Sequence, residues 1–129
     1  MDTWILVADR SHATIYRTAG QADGLHLATT LDNPEGHNEP VQVQAGEESD
    51  SQWRDRVTTQ FASRINEILT QSLEEDRYGA LVVAAPPQLL RELRDSRSTS
   101  VARTVKLELD QDLTHLPLEE LELRLRDRL

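Results

Sequence analysis

The chain has 129 residues, one domain's worth, and no cysteine, which excludes disulfide frameworks, thiolate metal sites and thiol nucleophiles. With 37% apolar and 29% charged residues the core is small, yet the composition stays above the disordered range. A net charge of −9 argues against a general nucleic-acid coat and against an anionic membrane surface.

The segment from Thr3 to Ala8 is nearly continuous in apolarity, as expected of a strand covered on both faces. Its five-residue apolar run, Trp4 to Ala8, meets Asp9-Arg10 at once and follows an acidic start, so it fits neither a secretory leader nor a membrane span. The expected location is therefore cytoplasmic. Asp9-Arg10-Ser11 reads as a tight turn into a half-buried strand over 12–17, and Gly20 to Gly24 punctuates before a third strand over 26–31.

Residues 33–50 carry little periodicity, and the stretch 32–50 holds six acids and no lysine or arginine. This acidic loop is either a partner-dependent segment or a solvated insertion. Ser49 with Gln52 fits a capping box, with Asp50 and Ser51 as alternative caps. Trp53, Val57, Phe61, Ile65 and Ile68 then form one apolar stripe of a helix that Leu69 and Leu73 extend to about Glu75. The stripe favours core packing for Trp53 and Phe61 over a base-stacking platform.

Tyr78-Gly79 reads as the helix break, and 80–84 as a buried strand. Pro87 suits the first turn of a short second helix, with Leu89, Leu90 and Leu93 facing the core and Arg91, Arg94 and Arg97 facing out. A polar loop over 96–100 leads to an alternating last strand over 101–109. A terminal helix entered at Pro117 carries a stripe of Leu118, Leu121, Leu125 and Leu129. The order βββαβαβα predicts a mixed sheet with helices in one domain spanning 1–129, α/β or α+β, with α/β of ribonuclease-H-like topology as the comparison the order invites.

The sequence contains no GxGxxG, no GxxxxGK[ST] and no GxSxG, which removes local support for dinucleotide, nucleoside-triphosphate and serine-hydrolase chemistry. His12, His26, His37 and His115 lie far apart, and neither a metal nor another cofactor is expected. A metal-dependent nuclease or hydrolase would draw on Asp9, just after the first strand, and on the turn over 110–115 with Asp110, Asp112 and His115. The simpler reading makes Asp9 part of a hairpin turn, Asp112 and Thr114 local caps, and His115 an edge residue. Arg91, Arg94 and Arg97, with Arg103, form a candidate phosphate-gripping surface. The alternative is a solvated face on which Arg91 and Arg94 pair with Glu92, Asp95 or acids elsewhere.

Four blocks, WILVADRSHATIY, FASRINEIL, YGALVVAAPPQLLRELR and DLTHLPLEEL, stand in the order found in the bacterial host-attachment-protein family, which this chain resembles. That family is similar in fold to the middle domain of archaeal and eukaryotic class-1 release factors and of Pelota. The resemblance implies a binding role at the ribosome or on a translation factor. Release factors use a Gly-Gly-Gln motif ahead of the long helix for peptidyl-tRNA hydrolysis. The corresponding stretch here holds Gly36, Gln42, Gln44, Gly46 and Gln52 without that motif, so no catalytic residue carries over. An acidic loop would also meet repulsion from RNA phosphate. The expectation is a non-enzymatic binding protein, with a regulatory protein–protein module docking through the acidic loop as the alternative and homo-oligomerisation left open.

Overall fold

A computed structural model describes residues 2–20, 22–34 and 50–128. Its elements are β1 (Thr3–Ala8), β2 (His12–Thr18), β3 (His26–Asp32), α1 (Asp50–Glu74), β4 (Ala80–Ala84), α2 (Pro87–Ser96), α3 (Thr99–Ala102), β5 (Val105–Leu109) and α4 (Leu118–Leu125). The sheet order is β3-β2-β1-β4-β5, antiparallel among the first three strands and parallel from β1 through β4 to β5. Most of the acidic loop, the proposed Ser49 cap and Leu129 lie outside the described residues.

The continuous apolarity of β1 and β4 has a physical cause: both faces of the sheet are covered. On one face Trp4, Leu6, Leu81 and Val83 join Phe61, Ile65 and Leu69 of α1 with Leu89, Leu90 and Leu93 of α2. On the other, Ile5, Val7, Val82 and Ala84 meet Leu113 and, from α4, Leu121 and Leu125. Each Val, Leu, Ile or Phe side chain among them, taken fully out of water, contributes about 1.5–3 kcal/mol before the entropy of ordering is counted. β3 is the sheet edge and is mostly exposed, Leu27 included.

Val57, Phe61, Ile65 and Leu69 of the α1 stripe are buried, while Trp53 is half-buried. The helix stops earlier than Tyr78-Gly79. Asp76 adopts a left-handed φ of 59°, and the amides of Asp76 and Arg77 turn back to the carbonyls of Leu73 and Ser72. Tyr78 instead enters the core, stacking on Trp4 at 4.8 Å between ring centroids and donating its hydroxyl to Leu69 O at 2.7 Å.

Three expectations need correction. The strand expected over 101–109 begins only at Val105, because Ser98 caps a short helix by accepting from Val101 N at 3.2 Å and Val101 is buried against α1 and α2. Arg97 does not face out: it caps the end of α2 in extended conformation, with 16% of its side chain exposed. Leu118 leaves the α4 stripe and is exposed.

Candidate functional site

Two places bring together some of the charged residues singled out in the sequence. The first is where the β1–β2 turn meets the connection between β5 and α4. Asp9 Oδ1 accepts from Ser11 N at 2.7 Å and His12 N at 2.9 Å, while its own amide donates to His12 O. Its other oxygen, Oδ2, accepts from Thr114 Oγ1 at 3.0 Å. Thr114 also contacts Asp112: its amide donates to Asp112 Oδ1 at 3.0 Å, and its hydroxyl lies within hydrogen-bond reach of that same oxygen. The single hydroxyl proton serves one carboxylate at a time.

Asp9, Asp112 and Thr114 are therefore brought together as a latch between two ends of the chain. Buried Asn33 extends the latch, donating from its amide to Ser11 O and from Nδ2 to Arg10 O. His115 is exposed and stays out of it. Asp110 sits elsewhere, beside Arg94 and Glu108 in a depression of about 350 Å³. Among the described residues no group of three or more His, Cys, Asp or Glu is placed to hold a metal ion.

The second place is the arginine surface. Leu89, Leu90 and Leu93 bury one side of α2, so Arg91 and Arg94 project away from the core. Arg94 Nε lies 3.1 Å from Glu108 Oε1, and Arg97 Nη1 lies 2.9 Å from Glu108 Oε2. One carboxylate thus occupies two guanidinium groups, leaving one net positive charge across the three. Arg91 and Arg103 are exposed and carry no side-chain hydrogen bond or ion pair among the described residues.

Sequence reasoning singled out the arginines but not Glu108. Its placement depends on an irregularity in β5: Leu81 pairs with Val105 while the next residue, Val82, pairs with Leu107. The extra residue, Lys106, lets Val105 pack on the α1–α2 side and Leu107 and Leu109 on the α4 side. Glu108 is thereby turned toward α2 and its arginines. An acid on the strand that follows an arginine-rich helix was the available signal.

Residues 2–125 match the family described as bacterial archaeo-eukaryotic release factor family 12, and the chain belongs to that family. Among solved structures it is similar to the archaeal translation termination factor aRF1, at 16% identity and a TM-score of 0.56, with 99% of this chain and 35% of that one covered. It is also similar to Dom34 of S. cerevisiae, a translation termination-like factor, at 10% identity and a TM-score of 0.47, covering 97% of this chain and 36% of that one. This chain spans about a third of the length of each. No curated protein matches it in sequence. Among the described residues no helix is long and apolar enough to cross a membrane.

Proposed function

We propose that the chain is a cytoplasmic, non-enzymatic binding protein that acts on the ribosome or a translation component through the arginine surface of α2 and α3. Membership of a release-factor family supplies the translational setting. The observation that carries the surface assignment is the pair Arg91 and Arg103, exposed and free of side-chain partners among the described residues. They lie in a stretch, 87–108, with five basic and three acidic residues, Glu108 included, inside a chain of net charge −9. At physiological ionic strength charges are screened beyond about 8 Å, so this local excess acts on phosphate despite the acids elsewhere.

Arg94 and Arg97 take a supporting part in this reading, since Glu108 already holds both. Peptidyl-tRNA hydrolysis is left out because the sequence contains no Gly-Gly-Gln. The likeness to host-attachment proteins is read as common descent, with no adhesive role assigned.

The test is co-sedimentation with ribosomes at physiological salt, comparing the wild type with an R91E/R103E variant. The wild type is expected to travel with ribosomes and the double variant to stay free. Equal retention of both, or a free wild type, would remove this surface from consideration.

A further inference from the structure

At the opposite edge of the sheet from β5, a groove of about 470 Å³ runs between β3 and the last turns of α1. Trp4, Leu27 and Ile68 give it apolar walls, and Arg17 and Arg77 stand at one end. The register puts them there: Arg17 pairs with Trp4 and His26, where β3 starts, and Arg77 lies just before β4, whose Ala80 pairs with Thr3. Among the described residues no acid lines the groove, in a chain of net charge −9.

Neither guanidinium is fully engaged. The Arg17 side chain makes no hydrogen bond or close ion pair among the described residues, and only a weaker attraction links it to Asp23. Arg77 meets Glu75 through Nε at 3.5 Å, which leaves its two terminal nitrogens open. Ser72, also in the lining, is only 7% exposed, and its hydroxyl makes no hydrogen bond among the described residues. That hydroxyl is within reach of a ligand. Asn66 Oδ1 is the one described side-chain atom that is both enclosed and unpartnered, so Ser72 Oγ opens on the groove.

The wall formed by β3 adds a second kind of group. As the outermost strand it turns half of its backbone amides and carbonyls away from β2, toward no other strand. Leu27-Ala28-Thr29-Thr30-Leu31 holds neither a charge nor a proline, the usual guards of a free edge. A bulge at Ala28, where Ile15 pairs with Thr29 and Tyr16 with Leu27, brings three consecutive residues onto the groove. Beyond it Thr29 to Asp32 pair regularly.

We infer that this groove binds an extended peptide, added to β3 as an antiparallel strand, with an apolar side chain between Leu27 and Ile68 and a carboxylate on Arg17 and Arg77. Main-chain bonds to the free edge hold such a strand, and the groove selects among its side chains. An antiparallel strand that enters beside Asp32 reaches the arginines with its C-terminal end, where guanidinium groups match a carboxylate. The Ser72 hydroxyl serves a peptide amide or carbonyl there. A nucleotide fits less well, because the Trp4 ring is 5% exposed and already stacked on Tyr78, which leaves no open aromatic face for a base. The carboxylate comes from a chain terminus or from an aspartate or glutamate side chain.

The probe is a library of random decapeptides with free C-termini, selected on the full chain and counter-selected on R17E/R77E. Enriched peptides are expected to carry an aliphatic residue within two positions of a carboxylate. Fluorescence anisotropy at physiological salt then compares proteins: binding falls about tenfold or more in R17Q/R77Q and is unchanged in R124Q/R128Q, which removes the same charge from the far side. Methylating alternate amides of the peptide abolishes binding if it adds as a strand. Loss of binding on C-terminal amidation assigns the carboxylate to the terminus, and retained binding assigns it to a side chain. No enrichment over R17E/R77E, equal binding by R17Q/R77Q, or indifference to amide methylation overturns the inference. Displacement of the peptide by an equimolar single-stranded RNA does so too, since the groove would then be a nucleic-acid surface.

Discussion

Thr114 Oγ1 reaches Asp9 Oδ2 at 3.0 Å across 105 residues of sequence, joining the first turn of the sheet to the approach to its last helix. The contact explains why an acid follows β1. The Asp9 carboxylate is held by two backbone amides on Oδ1 and, on Oδ2, by the Thr114 hydroxyl that it shares with Asp112.

A structural latch and a catalytic carboxylate make opposite predictions. Thr114→Val removes the hydroxyl donor and is expected to lower stability by about 1–2 kcal/mol, and Asp9→Ala, which frees two amides as well, by about 2–3 kcal/mol. Urea denaturation measures both. Ribosome retention of the two variants, assayed well below their unfolding midpoints, is expected to match the wild type. An Asp9→Ala protein of undiminished stability would contradict the latch.

Much of this architecture is legible in the sequence, and what is not has a common cause. The spacing of Val57, Phe61, Ile65 and Leu69 marks α1, because a helix in water must bury one stripe, and the unbroken apolarity of β1 and β4 announces cover on both faces. Periodicity misled at Val101. Its alternation with Arg103 and Val105 imitates a strand, whereas the hydroxyl of Ser98 satisfies the Val101 amide and starts a turn of helix. Glu108 was hidden for a related reason. A strict period of two puts Val105 and Leu107 on one face, and only the pairing with β4 reveals that Lys106 is an extra residue that turns Glu108 toward the arginines. Side-chain period reports a face; it does not report the partner across it.

Glu108 acts as an internal competitor for whatever Arg94 and Arg97 would otherwise hold. Glu108→Gln keeps an acceptor but loses the charge, and leaves two guanidinium groups near each other. The expected loss of stability is about 1 kcal/mol, kept modest by the half-exposed Arg94. The effect on binding runs the other way. With both arginines released, ribosome retention is expected to rise and to depend more steeply on salt, since more phosphates are neutralised. Unchanged retention and an unchanged salt slope would show that phosphate does not reach this part of the surface.

The turn before β3 offers a backbone test. Gly24 has φ of +75°, and a Cβ there would lie 3.3 Å from Glu122 Oε1, the oxygen that accepts from Leu25 N at 3.0 Å. Asp23 helps to hold the same turn. The Ala19 amide, and after it His26, keep its carboxyl below the usual range. Gly24→Ala is expected to cost about 1–2 kcal/mol through its conformation alone, with crowding of Glu122 added. Thermal denaturation of G24A, E122A and the double variant separates the two parts. The double variant should recover only the crowding contribution.

Tyr78 gives the chain an alkaline limit. Burial pushes its phenol up to about 12 from the ordinary value near 10, against the smaller opposing effect of the Thr104 hydroxyl. In the unfolded chain the phenol ionises near pH 10, whereas in the fold it stays neutral to about 12. Below pH 10 both states hold the proton and this residue adds no pH dependence. Between 10 and 12 the unfolded state alone releases it, so stability falls by up to about 1.4 kcal/mol per pH unit. Tyr78→Phe keeps the ring on Trp4 but loses the donation to Leu69 O, and is expected to lower stability near pH 7 by about 1 kcal/mol. Across pH 10–12 its stability should fall less steeply than that of the wild type, so the two denaturation curves converge. Parallel curves through that window would mean that the phenol ionises in the folded state as readily as in the unfolded one.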